Sequence, residues 1–371
     1  MSDPSPQTPP PADAPEPLSR GKRLLFTAVP LVALLIVFEI VLRFANPRLW
    51  LEGQDFYEHR WAVRQAARAG KPADQTRPDY GWDMHDPDLG WVSRPNFRSA
   101  EVNTNADGLR GTRDYPRPKP AGERRIVAVG DSYCFAEEVA DDEGFCRQLE
   151  LRLGVGVVNL GTHGYAHDQQ LLSLRKRGFA YGPDLVLFAF NLPDIERNPL
   201  AFRDFAKPRF RLDAAGNLHL EGVPIPRPED VTPRPAAWWY PRVWGFVRTQ
   251  GAVLVRWALG PKGADDPDVR LALAISDALV DDCSARGVKV IVLLIAPSVT
   301  GDPSPEETAV LDWAARRGLT VVSMRPKFWE LPDEVRRTIH TNGGRGHWTA
   351  LGHKMAAEAL AEAIRNERLL P

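Results

Sequence analysis

The chain has 371 residues, 43% of them hydrophobic and 26% charged, a globular composition that sets aside a fibrous or wholly disordered polymer. With 47 basic against 48 acidic side chains the formal net charge is −1, so no overall field favours nucleic acid or an acidic partner. At about 100 to 200 residues per domain there is room for one large domain with appendages, or for two compact ones.

Residues 1–19, "MSDPSPQTPPPADAPEPLS", are proline-rich with little to bury and read as a disordered tail. From Leu24 to Phe44 the sequence is apolar apart from Thr27, Pro30, Glu39 and Arg43. At a helical rise of about 1.5 Å per residue, that stretch crosses a hydrocarbon layer of roughly 30 Å, so it reads as one transmembrane anchor. Glu39 is the exception, a carboxylate that costs roughly 3 kcal/mol at mid-membrane but lies near the end of the span. A cleaved signal peptide fits less well, because Arg43 stands two before Ala45, where cleavage needs a small residue. Arg20, Lys22 and Arg23 outnumber Arg43 and Arg48 by one, which places the tail in the cytoplasm and the main domain outside it, in the periplasm or extracellular space.

Residues 45–120 hold many Pro, Gly, Trp and Asp without a long periodic run and read as an irregular lead-in segment, docked through Trp82, Trp91 and the intervening "DPDLGW". The main domain then runs over 121–371. Short apolar runs at 125–129, 155–160, 185–190, 288–295 and 319–323 predict strands. Helical periodicity lies near 142–153, 167–180, 268–286, 305–317 and 350–368. Strand and helix in this alternation predict a parallel α/β sheet covered by helices on both faces, with any site at the carboxyl ends of the strands. Residues 196–265 interrupt the rhythm as an insertion, with a two-stranded excursion turning at "DAAGN" and tryptophans at Trp238, Trp239 and Trp244.

The three cysteines, Cys134, Cys146 and Cys283, have no metal-binding spacing, and Cys134 reads as packing before it reads as a nucleophile. Ser132, in "RIVAVGDSYCFAEEV", follows the first strand on the turn into a helix, where a hydroxyl sits at the positive end of a dipole or serves as a plain cap. Gly164, in "VVNLGTHGYAHDQQ", lies on a turn where a backbone N–H can approach a ligand without a Cβ in the way. His347, in "GRGHWTALGHKMAAEAL", stands just before the last helix, in a loop that can return to the strand ends.

Together with "DPDLGWVSRPN", "NTNADGLRG" and "GPDLVLFAF", these pieces resemble, in order and spacing, the SGNH or GDSL-like hydrolase family in a membrane-anchored bacterial form; the likeness extends over most of residues 82–365. The resemblance implies a flavodoxin-like three-layer α/β/α sandwich and serine ester hydrolysis or O-acyl transfer without a cofactor or metal. It implies Ser132 as nucleophile, His347 as its base, oxyanion donors at the Ser132 and Gly164 N–H groups, and a structural role for His353. Two positions depart from the family pattern. Pro193 stands where an oxyanion-binding Asn is usual, leaving Asn191 as a substitute. Gly344 and Arg345 stand where an Asp normally orients the histidine, leaving Asp194 as the carboxylate to inspect.

Two functions follow. One is a serine esterase or O-acyltransferase outside the cytoplasm, acting on an ester-bearing small molecule, lipid or acylated carbohydrate. The other is a binding or envelope-scaffolding protein that keeps the fold with weakened catalysis. A nucleotide-binding domain lacks its Gly-x-Gly-x-x-Gly fingerprint here. Neither the substrate nor the oligomeric state leaves a motif.

Overall fold

The computed structural model describes residues 19–68, 82–230, 239–260, 263–296, 301–342 and 346–371; most of the expected tail, Trp238, Gly344 and Arg345 lie outside them. In chain order the helices and strands are α1 (Arg20–Phe44), α2 (Gly53–Arg68), β1 (Asp83–Asp86), β2 (Gly90–Ser93), β3 (Arg125–Val129), α3 (Ser132–Phe135), α4 (Phe145–Leu153), β4 (Gly156–Asn159), α5 (His167–Ser173) and β5 (Leu185–Asn191). There follow β6 (Arg209–Leu212), β7 (Leu218–Glu221), α6 (Arg242–Leu259), α7 (Pro267–Ser284), β8 (Lys289–Ile295), α8 (Pro305–Arg316), β9 (Thr320–Ser323), α9 (Met324–Trp329), α10 (Asp333–Arg336) and α11 (Ala350–Asn366). The chain divides into a smaller unit, residues 1–51 with 238–254, and a larger one, 52–237 with 255–371.

In the larger unit the five expected strands form one sheet, order β4-β3-β5-β8-β9, parallel throughout. Numbered by appearance that order is 2-1-3-4-5, the flavodoxin-like winding, whose switch point lies between the first and third strands. Side chains alternate across a strand, so β5 sends Val186, Phe188 and Phe190 into one core and Leu185, Leu187 and Ala189 into the other. α5, α7 and α8 cover the first face through residues such as Leu171, Ile275 and Val310. α4, α9 and α11 cover the second through Leu149, Phe328 and Leu360. Every residue of β5 is buried, as a central strand between two helical layers requires.

Three elements differ from the sequence expectation. α2 gives the lead-in segment a 16-residue helix. Its apolar positions are few and set among charges, so no apolar run marks it; Trp61 meets Phe202 edge to face at 6.1 Å, and Gln54 accepts the Ala201 N–H at 3.2 Å. The helix expected over 167–180 is α5 followed by a π-helical turn at Leu174–Gly178 and a 3-10 turn at Phe179–Tyr181. The insertion contains the expected hairpin, β6 against β7 around residues 213–217, but it divides between the units, its helix α6 belonging largely to the smaller one.

In the smaller unit α1 begins at its cap Ser19, and among the described residues it is the one helix long and apolar enough to cross a membrane, with a mean hydropathy of 2.7 and none of its most apolar window buried. Glu39 has specific partners: one carboxylate oxygen accepts the Val243 N–H at the start of α6 at 2.9 Å, and the other accepts from Arg43 at 2.8 Å. A helix N-terminus and a guanidinium one turn away are what a carboxylate in an apolar helix needs.

Candidate active site

The switch point brings Ser132 and His347 together. After β3 the chain turns tightly at Gly130, where a Cβ would lie 2.5 Å from Cys134 Cβ and 2.9 Å from Ala189 Cβ, so only glycine lets the turn pack on β5. Asp131 then caps α3, its Oδ1 accepting the Tyr133 N–H at 3.0 Å. α3 is only four residues long and stops at Ala136, which takes a left-handed φ of 65°. Its dipole is correspondingly small, so the turn serves to aim Ser132 more than to polarise it. The acidic residues Glu137 and Glu138 fall beyond the helix rather than extending it.

His347 Nε2 lies 2.7 Å from Ser132 Oγ. The histidine loop is held by a bridge between His340 and Trp348 and by the Thr341 N–H bonded to the His347 carbonyl at 2.9 Å. Trp348 is buried among Tyr133, Phe145 and Phe328, and the Tyr133 ring also meets the imidazole at 5.1 Å. His353 lies in the first turn of α11, wholly buried, where its Nδ1 accepts the Phe145 N–H at 3.3 Å. Cys134 is buried too and shares its thiol with Asn159 and Cys146, away from solvent.

The carboxylate beside His347 comes from an unexpected place. Asp194, the carboxylate to inspect, is wholly buried, paired with Arg197 at 2.5 Å and accepting from Gln170 at 3.1 Å. Burial first, and the nearby charge of Asp131 second, push its pKa well above the usual carboxylate range against the pull of Arg197. Glu138 Oε1 lies 3.4 Å from His347 Nδ1, with Glu137 Oε2 3.8 Å from Nε2. The Nδ1 contact is an ion-pair distance, longer than a well-made hydrogen bond. Burial would raise the Glu138 carboxyl, but the Thr341 hydroxyl bonded to its Oε2 and the charge of His347 hold it below its ordinary value. Glu137 moves the other way, raised chiefly by burial.

Two non-glycine residues in the left-handed region, Ala136 and Glu138 at φ 65° and 68°, bend this acidic loop toward the histidine. Such conformations cost of order 1–3 kcal/mol each and persist where surrounding contacts impose them. Here the lead-in segment supplies them. Arg110 donates to the Val139 carbonyl at 2.8 Å and pairs with Asp141 at 2.9 Å, while Asn103 donates to Asp141 at 2.6 Å. The "NTNADGLRG" stretch thus holds the loop that carries Glu138. Its sequence signal was present in "AEEV" and in the missing aspartate, but the pairing is tertiary.

Ser132 opens α3, so its N–H is among those a helix leaves unpaired. Gly164 has φ 73°, a left-handed conformation that favours glycine, and a Cβ there would lie 2.5 Å from Arg203 Nη1 and 2.6 Å from Asp204 Oδ2. Asn191, expected as a substitute oxyanion donor, is not free for it: its amide donates to Asp131 Oδ2 at 2.8 Å, with Asp194 Oδ1 at 3.5 Å. Pro193 is the second residue of a 3-10 turn, Leu192–Arg197, that closes over the Arg197 network, and the buried carboxylates there draw the amide inward. The hairpin β1–β2 supports the Gly164 turn from the other side: Trp91 Nε1 donates to the His163 carbonyl at 3.0 Å, and Trp82 stacks on Phe135 at 6.0 Å. Burial pushes the His163 imidazole down to about 3, while Asp83 Oδ2 faces it at 3.2 Å.

Strand order and site together define a flavodoxin-like α/β/α protein with a serine–histidine pair at the carboxyl edge of its sheet. No protein-family model and no curated protein matches the chain. Solved structures similar to it include a member of the lipolytic protein G-D-S-L family from Veillonella parvula DSM 2008, at 10% identity over 64% of this chain and 97% of that one, with a TM-score of 0.39. A psychrotrophic esterase from Pseudoalteromonas sp. is similar at 12% identity over 66% of this chain and 99% of that one, TM-score 0.40. The lipase/acylhydrolase from Enterococcus faecalis is similar at 14% identity over 66% and 96%, TM-score 0.39. The class follows from the strand order and the site geometry. Among the described residues no group of three His, Cys, Asp or Glu side chains is placed to hold a metal.

Proposed function

We propose that the chain is a membrane-anchored serine ester hydrolase or O-acyltransferase of the SGNH type, with α1 as its single span and the larger unit outside the cytoplasm. The observation that carries the reading is the 2.7 Å contact between His347 Nε2 and Ser132 Oγ, within reach for general-base catalysis. Ser132 Oγ attacks the ester carbonyl as His347 Nε2 takes its proton. The Ser132 and Gly164 N–H groups receive the oxyanion. Collapse breaks the C–O bond, and the imidazolium returns the proton to the leaving alcohol. Water, or the hydroxyl of an acceptor, then attacks the acyl-serine with His347 again as base. Glu138 steadies the imidazolium from the Nδ1 side in place of the family's aspartate, and Asn191 contributes no donor. The substrate classes are an ester-bearing small molecule, a lipid or an acylated carbohydrate.

One observation favours the second reading, a binding protein with weakened catalysis: the inward turn of Asn191. Losing one oxyanion donor costs about 100- to 1000-fold in turnover, which slows an enzyme without abolishing it. The test is hydrolysis of a small activated acetate ester by the full-length protein in detergent. The catalytic reading expects turnover that falls to the uncatalysed rate in Ser132→Ala and His347→Ala. Wild type already at that rate would favour the binding protein.

A further inference from the structure

α6 has one face against the anchor and another that is exposed among the described residues. On the inner side, Phe246 meets Phe38 edge to face at 5.1 Å, the Val243 N–H bonds Glu39, and the Gln250 amide donates to the Leu49 carbonyl at 3.2 Å. Thr249 and Arg242 are buried there, with the Arg242 guanidinium 4.3 Å from the centre of the Trp50 ring. On the outer side, Trp244, Val247 and Leu254 are 63%, 54% and 62% exposed. Positions i, i+3 and i+10 fall on one stripe of a helix with 3.6 residues per turn. Trp239, just before the helix, is 67% exposed.

The depth of this stripe follows from its contacts. α6 starts beside Phe38 and Glu39, about 8 Å along the helix axis before Phe44 at the end of α1. At that level α1 itself still exposes Val37, Ile40 and Val41. A helix fixed there has its exposed apolar stripe at the boundary of the layer α1 occupies, and Trp at that boundary is the residue that fits it. Arg48 and Arg248, both exposed, are cations of the kind that accompany helices lying on anionic lipid.

We infer that α6 is an interfacial membrane helix, embedding Trp239, Trp244, Val247 and Leu254 in the outer part of the same bilayer that α1 crosses. The inference rests on α1 being a transmembrane anchor, so the experiment reads the two separately. Single cysteines are placed at Leu34 in α1, at Val247 and Leu254 on the stripe, and at exposed Leu151 in α4, each in the full chain. The native Cys134, Cys146 and Cys283 are buried and take no label in the folded protein. The variants are labelled with an environment-sensitive maleimide and reconstituted into phosphatidylethanolamine–phosphatidylglycerol vesicles, with lipid spin-labelled either near the headgroup or at the chain end.

The inference expects Leu34→Cys to be quenched best from the chain end. It expects Val247→Cys and Leu254→Cys to be quenched from near the headgroup about twofold or more above Leu151→Cys, as for a helix about 5–10 Å below the headgroup boundary. Leu34→Cys quenched while the stripe positions match Leu151→Cys would overturn the interfacial helix and leave the anchor standing. No quenching at Leu34→Cys would overturn both. Blue-shifted but unquenched stripe probes would put another protein or a second copy on the face and overturn the lipid assignment.

Discussion

At the scale of single residues, the chemistry turns on which groups face the imidazole. Glu138→Gln keeps the shape and removes the charge beside Nδ1, and in a serine–histidine–aspartate template the equivalent change costs about 10⁴ in turnover. The 3.4 Å contact is looser and more exposed than a buried aspartate, so a fall of about 10- to 100-fold in kcat with little change in KM is expected. Ester hydrolysis by the purified variant measures it, and an unchanged kcat would remove Glu138 from the mechanism. Asp194 belongs to a different group of contacts. Arg197→Met leaves Asp131 and Asp194 buried without their cation and is expected to cost about 3 kcal/mol or more in denaturant unfolding. Asp194→Asn removes the charge beside Arg197 and turns an amide N–H toward a donor, Arg197 or Gln170, so it is expected to cost about 1–3 kcal/mol in the same unfolding measurement. Ser132 and His347 were legible because each sits in a local string with a strand or helix beside it. Glu138 was not, because its place beside His347 depends on two left-handed residues and on Arg110, which is 28 positions away from it in the chain.

At the scale of elements, the sheet was the most legible part. β3, β4, β5, β8 and β9 are buried β-forming runs whose ends fall within one residue of the expected positions, since a strand between two helical layers must be apolar throughout. α2 was hidden because a helix lying on a domain surface needs only a few apolar contacts. The helices also set an acid limit. His353 in α11 and His167 in α5 are each pushed down to about 3, chiefly by burial, from the ordinary 6.5. Between those values the unfolded chain binds protons that the folded chain refuses, so the stability they contribute is full above the ordinary value and is lost as pH falls below it. About one unit below the ordinary value each costs about 1.4 kcal/mol. The melting temperature is expected to fall between about pH 7.5 and 5.5, with a shallower slope in His353→Asn whatever that variant's starting stability. An identical slope would mean that His353 is protonated in the folded protein.

At the scale of the whole molecule, the chain passes from the anchor into the larger unit near residue 51, returns at 238 to form α6, and leaves again after 254. The insertion is therefore two things, a Pro-rich part with the hairpin of the sheet domain and a Trp-rich part with a helix of the anchor unit, and composition does not say which unit each part packs with. The proposed function rests on Ser132 at the switch point being activated by His347. The measurement that tests this most directly is peptide mapping of a fluorophosphonate adduct on the full-length protein in detergent. The account predicts the adduct on Ser132, absent in Ser132→Ala and formed about 100-fold or more slowly in His347→Ala. An adduct elsewhere, or undiminished labelling in His347→Ala, would contradict it.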